Sequence, residues 1–198
     1  MQRLYLENYI RLSIYFNKYR IPSARFPNWD YSANGAYFIT ICTGGREHYF
    51  GKIENELVHL SDIGVIASTF LYQIPIHFTF AEIDAFVVMP NHIHALIIIN
   101  QTSLRQLETI HATSRSTEID SVKNEEMSTI SPKSGSISTI IRSYKSAVSK
   151  KARKTNPEFY WQTRFHDHIV RNDASYNKIR KYIIDNPLLW NKDKFYSP

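Results

Sequence analysis

Apolar residues along this chain fall into short blocks separated by turn chemistry, and the spacing inside each block predicts its structure. AYFITICT at 36–43 follows Gly35 and mixes aromatic with β-branched residues, which predicts a strand. Gly44 and Gly45 then mark a turn or bulge. From Ser61 onward, Ile63, Ile66, Phe70 and Ile74 recur at helical spacing, with Asp62 in the first turn and Pro75 at the end. AEIDAFVVMP and HIHALIIIN flank Pro90 and Asn91 and read as neighbouring antiparallel strands. Over 136–154, Ile137, Ile140, Ile141, Tyr144 and Val148 form one apolar helical stripe. FYWQTRFHDHIVR reads as strand. Residues 175–185 read as helix, with Tyr176, Ile179 and Ile183 on the buried side and Pro187 stopping it. Strand, helix, strand, strand, helix, strand, helix predicts an α+β sandwich, with a mainly antiparallel sheet and helices on one face.

The segments outside this pattern divide the chain. Residues 1–34 form a basic, aromatic N-terminal extension, 35–190 the domain, and 191–198 a C-terminal tail. Residues 101–135 are rich in Ser, Thr and charge without a sustained period, and read as a flexible polar insertion. A chain of 198 residues suits one domain with extensions. Its net charge of +6 and pI near 9.3 favour a polyanionic partner, either nucleic acid or an anionic membrane. No apolar run is long enough to span a bilayer, and the mixed N-terminus is unlike a signal peptide. The only cysteine, Cys42, excludes an intrachain disulfide framework and argues against a thiolate metal site. The expectation is a cytoplasmic protein that meets nucleic acid.

Three groups of residues carry candidate chemistry. In Pro90-Asn91-His92-Ile93-His94 the two histidines lie two apart, so a strand points both to one side and offers two imidazoles to one divalent ion. Two ordinary histidines beside a turn have the same spelling. Tyr182, in IRKYIIDNP, is a candidate nucleophile among basic residues, and Asn186 four positions later shares its helical face. Asn186 precedes Pro187, a position that disfavours helix, and among 13 tyrosines half-buried packing is the ordinary role. His166 and His168 repeat the two-apart spacing beside Arg164 and Asp167, and rank behind His92 and His94. His48, His59, His77 and His111 read as structural or solvated. The helix at 136–154 carries Arg142, Lys145, Lys150, Lys151, Arg153 and Lys154 with no acid, which suits phosphate contact as well as a solvated face. Tyr160, Trp161 and Phe165 are candidates either for stacking on unpaired bases or for the core.

Taken together, NWDYSANGAYFITICTGGREHYFG, IPIHFTFAEIDAFVVMPNHIHALIII and YWQTRFHDHIVRNDASYNKIRKYIIDNP resemble the single-tyrosine transposases of the HUH superfamily, in particular the REP-associated branch. The resemblance covers roughly 20–100 and 136–190, in order. It implies a ferredoxin-like or RRM-like two-layer sandwich with the HUH histidines on a central strand. It implies His92, His94 and Asn186 as ligands for Mg²⁺ or Mn²⁺, and Tyr182 as the nucleophile that forms a 5′-phosphotyrosine on single-stranded or hairpin DNA. Tyr176 is the rival nucleophile, with Tyr144 and Tyr160 further behind. Arg142, Lys145, Lys150, Lys151, Arg180, Lys181 and Trp161 are the expected DNA contacts. Ala95 stands where the family commonly has Gly, and the 101–135 insertion lengthens the connection after the HUH strand. Monomer and homodimer are both compatible with the sequence. Two other classes remain: a catalytically silent hairpin- or single-strand-binding module, and a metal-dependent phosphodiesterase that uses water.

Overall fold

The computed structural model describes residues 29–101 and 133–196, together with the backbone of a short ladder pairing Ile14–Tyr15 with Lys18–Tyr19. Most of the expected N-terminal extension and polar insertion lies outside the described residues. The central elements are β1 (Gly35–Cys42), the hairpin β2 (Gly51–Glu54) and β3 (Leu57–Leu60), and α1 (Asp62–Tyr72). They continue with the short α2 (Ile74–His77), β4 (Ala81–Val88), β5 (His92–Ile99), α3 (Ile137–Ala152), β6 (His166–Val170) and α4 (Asp173–Asp185). The sheet order is β4-β5-β1-β6 with every pair antiparallel, which is the predicted α+β sandwich of ferredoxin-like topology. Strand β5, which carries His92 and His94, is central.

Local chemistry accounts for the element ends. Ser61, Ser136 and Asn172 cap α1, α3 and α4 by accepting from the backbone N–H of Gly64, Thr139 and Ser175. The last helix therefore starts at Asp173, ahead of the expected 175. Pro75 does not end the first helix; it occupies the first turn of α2, where its missing N–H costs nothing. FYWQTRFHDHIVR is strand only from His166, because Trp161 makes a single bridge to Thr43 and the residues between run as a loop.

Alternation along β5 splits the molecule. Ile93, Ala95, Ile97 and Ile99 face the main core with Ile63, Ala67 and Leu71 of α1 and Ile137, Ile140, Tyr144 and Val148 of α3. His92, His94 and Leu96 face the other way, and Leu96 packs with Ile183 and Ile179 of α4. The two crossover helices thus share one face as expected, while α4 lies on the opposite one. The reason is compositional: Phe38 and Leu96 give the second face an apolar patch that the Ile179–Ile183 side of α4 covers. Among the described residues, no helix is long and apolar enough to cross a membrane.

Close packing between α1 and the loop before β2 yields a stability prediction. A Cβ on Gly64 would sit 2.1 Å from the backbone carbonyl oxygen of Phe50. Gly64→Ala is expected to destabilise the fold by about 1–3 kcal/mol despite the better helix propensity of alanine. Urea unfolding measures it, and an unchanged midpoint would mean that the two segments separate without cost.

Candidate metal centre and nucleophile

Strand β5 delivers His92 and His94 side by side. Their Nε2 atoms are 3.1 Å apart, and both side chains are buried, at 0% and 1% exposure. Each ring is held at its other nitrogen. His92 Nδ1 lies 2.9 Å from Asn91 Oδ1, and His94 Nδ1 lies 2.9 Å from Thr40 Oγ1 on β1. The amide of Asn91 is oriented by its Nδ2, which donates to the carbonyl of Phe195 at 2.8 Å. Its Oδ1 can only accept, so His92 Nδ1 carries a proton. Burial pushes the His92 pKa down to about 4 and the His94 pKa well below its ordinary value, so both rings are neutral near pH 7. A neutral His92 protonated at Nδ1 turns the Nε2 lone pair toward His94 and the site. Thr40, whose hydroxyl donates or accepts, suits either tautomer of His94.

From the other side comes α4. Tyr182 Oη is 3.2 Å from His94 Nε2 and donates to Asp193 Oδ2 at 3.0 Å. Its ring meets those of His94 at 5.2 Å and Phe38 at 6.1 Å. Burial first, then the charge of Asp193, pushes the phenol up to about 12. Asn186 keeps helical angles (φ −57°, ψ −40°) despite the following proline, so the chain runs straight from α4 into the 3-10 turn Asn186–Lys192. The helical turn continues past Tyr182, and the Asn186 side chain is buried with its Nδ2 donating to Asp193 Oδ2 at 3.0 Å.

Two features fit a divalent ion. Among the described residues, Asn186 Oδ1 is the buried side-chain polar atom without a hydrogen-bond partner, an arrangement costing about 1–3 kcal/mol unless something meets the lone pair. His92, His94 and Asp193 bring one ligand atom each to within 4.8 Å of one another. Two imidazoles with carboxylate and amide oxygens form a mixed nitrogen–oxygen donor set of the kind that holds divalent cations.

The structure sorts the other sequence candidates. His166 and His168 pair with Thr40 and Phe38 on β1 and so share the face of His94, but they stand exposed and outside the group of close ligand atoms. Tyr176 sits a turn and a half before Tyr182 beside Asp84, and burial raises its phenol. Tyr144 is buried and donates to the carbonyl of Ala67. The cations of α3 lie across the sheet from the tyrosine: Arg142, Lys150 and Lys151 are exposed on that far side. Lys145 donates to the carbonyls of Gln162 and Thr163, and Arg180 and Lys181 pair with Asp84 and Asp185. Trp161 donates to the carbonyl of Lys145 and packs between Phe50 and Phe159, whereas Tyr160 beside it is 48% exposed.

Three contributors escaped the sequence reading: Thr40, Asn91 and Asp193. Asp193 lies in the segment set apart as a tail. That segment packs onto the site, with the Phe195 ring 4.7 Å from His92 and 5.9 Å from His94. Its sequence signal is faint, a single acid between Lys192 and Lys194.

A Haemophilus influenzae protein described as uncharacterized is 35% identical over 176 residues, covering 88% of this chain and 92% of its own length. No family model matches the chain. Among solved structures, the chain is similar to a REP-associated tyrosine transposase bound to a REP hairpin, with a TM-score of 0.48 and 18% identity over 83% of this chain and 73% of that one. A candidate transposase from Deinococcus radiodurans R1 matches with a TM-score of 0.42 and 12% identity, over 81% of this chain and 95% of that one.

Proposed function

The chain belongs to one family with the Haemophilus influenzae protein, and from its own site we propose that it is a single-tyrosine HUH transposase, which cleaves and rejoins single-stranded DNA next to a hairpin through a 5′-phosphotyrosine. The observation that carries this reading is the approach of Tyr182 Oη to within 3.2 Å of His94 Nε2, in a site whose other walls are His92, Asn186 and Asp193. A phenol with no catalytic task has no need of two buried neutral imidazoles and an unpartnered amide oxygen.

His92, His94, Asn186 and Asp193 would hold Mg²⁺ or Mn²⁺. Bound there, the ion supplies Lewis-acid polarisation of a non-bridging phosphate oxygen. Asn91 and Thr40 hold the histidines in orientation. Tyr182 attacks phosphorus in line: the tyrosine O–P bond forms, the P–O3′ bond breaks, and the strand leaves with a 3′-hydroxyl. Asp193 accepts the phenolic proton through its existing hydrogen bond, and the departing 3′-oxygen takes up a proton. Attack by a second 3′-hydroxyl on the phosphotyrosine reverses the exchange and joins strands without a nucleotide cofactor. The excess of positive charge serves the phosphate backbone.

A second reading has one observation behind it. Both histidines are buried, with the Phe195 ring of the C-terminal segment 4.7 Å from His92, as a hairpin-binding module without cleavage would tolerate. One experiment separates the two. The protein is incubated with labelled single strands from the DNA flanking its own gene and Mn²⁺ or Mg²⁺, then run on a denaturing protein gel. We expect label at protein mass, lost in Tyr182→Phe and retained in Tyr176→Phe. Free cleaved products without an adduct would indicate a water-using phosphodiesterase, and binding without cleavage would indicate the module.

A further inference from the structure

Beyond the metal centre, the end of β1 builds a second recess. A cleft of about 370 Å³ lies between the Gly44–Gly45 turn with Arg46 on one side and Tyr160, Gln162 and Thr163 on the other. We infer that this cleft receives one unpaired nucleobase of the DNA strand, stacked on Tyr160 with its polar edge toward Gln162, beside the scissile phosphate. The inference rests on the DNA-cleaving reading above and names how the strand is gripped there.

The exposed aromatic ring is held in place. A Cβ on Gly44 would lie 1.9 Å from Tyr160 Cε2, so the ring packs directly on the Gly44 backbone, in space that a side chain there would take. Gly44 N–H donates to the Tyr160 carbonyl at 2.9 Å, and Gly45, at φ +62°, brings its backbone up to the Tyr160 hydroxyl. The segment after it is pinned from two directions: Gln162 N–H donates to the Cys42 carbonyl at 3.0 Å, and Lys145 Nζ donates to the Gln162 carbonyl at 2.6 Å. The ring nevertheless remains 48% exposed. A tyrosine fixed this firmly but left open is a preorganised stacking platform, since its ordering cost is already met by the fold.

The surrounding chemistry suits a base in a nucleotide. The Gln162 side chain is exposed at the cleft, and a carboxamide matches the paired donor and acceptor on a base edge. None of the lining residues carries a carboxylate. Arg46 sits in the left-handed region at φ +60°, a conformation that non-glycine residues rarely adopt. It lies between the two sites: its Nη1 donates to the Lys194 carbonyl at 3.3 Å, and its guanidinium lies 5.1 Å from the Phe195 ring that packs on His92. Cys42, two residues before the turn, is the register partner of His92. A base in the cleft therefore lies close along the strand to a phosphate at the histidines, with a cation beside the linkage. Duplex bases are stacked and cannot reach such a ring, which restricts the ligand to unpaired bases.

The test measures binding of fluorescent single strands from the gene's flanking DNA to the full-length protein, with each position replaced in turn by an abasic site. Tyr160→Ala is expected to weaken binding about tenfold, within the 5- to 150-fold span of one lost stacking contact. Tyr160→Phe, which keeps the ring and its packing, should bind as wild type. Gln162→Ala, which removes no packing, should flatten base preference at one position. That same position, made abasic, should weaken the wild type and add nothing to the loss in Tyr160→Ala. Affinity of Tyr160→Ala equal to that of the wild type on every strand, or abasic penalties that add at every position, would overturn the inference. The Tyr182 adduct, measured in parallel at saturating DNA, separates the two readings. Adduct formation without Tyr160 coupling sinks the base pocket alone. Coupling without adduct sinks cleavage alone and leaves the pocket. A protein that binds no single strand sinks both.

Discussion

Replacing His92 or His94 with alanine is expected to reduce metal-dependent strand cleavage by more than about 10²-fold while leaving hairpin binding nearly unchanged. The lower bound comes from residues that only orient a ligand, whose loss already costs about 10- to 100-fold in metal affinity or activity. Both rings are buried and neutral, so neither contributes charge to DNA binding, and phosphate contacts elsewhere should keep affinity. Asn91→Ala makes the argument specific. It leaves both imidazoles in place but removes the acceptor that keeps the His92 proton on Nδ1, so Mn²⁺ affinity should fall about 10- to 100-fold. Calorimetry with Mn²⁺ gives the affinity, and the denaturing gel gives the adduct. Wild-type cleavage in His92→Ala would remove the metal assignment, and unchanged Mn²⁺ affinity in Asn91→Ala would remove the tautomer argument.

What the sequence revealed of this site depended on periodicity. His92 and His94 are two apart in a run that reads as strand, and that alone places both on one side with Ile93 in the core. Tyr182 and Asn186 are four apart in a helical run, and the structure brings them together because Asn186 stays helical in spite of Pro187. The face taken by each helix is not written locally. α3 and α4 carry comparable apolar stripes, yet α3 lies across the sheet from the histidines and α4 lies over them, a choice made by Phe38 and Leu96 on strands far away in sequence. That is why the basic helix, legible as a stripe of cations, does not surround the tyrosine. Asn91 and Asp193 were invisible for a related reason. Each acts through a partner brought in by the fold: Asn91 is tied to Phe195 across 104 positions, and Asp193 follows an irregular turn with no period to place it.

Asp193 carries the other large prediction. Its carboxylate accepts from both Tyr182 and Asn186, and it completes the group of close ligand atoms with the two histidines. Asp193→Asn keeps an acceptor oxygen of similar size but removes the charge. Two consequences should appear together. Loss of an anionic ligand should weaken Mn²⁺ binding by at least about tenfold. The Tyr182 phenol, pushed up to about 12 by burial first and then by Asp193, should titrate lower in the variant yet stay above the ordinary tyrosine value of 10.0, because its burial is unchanged. Ultraviolet difference titration against a Tyr182→Phe background isolates that phenol. Asp193→Glu, which restores the charge, should recover metal affinity in part and raise the phenol again. A phenol that titrates alike in all three proteins would place the carboxylate too far away to act on it. Metal affinity unchanged by the loss of charge would leave His92, His94 and Asn186 as the whole ligand set, with Asp193 acting only as the acceptor for the tyrosine proton.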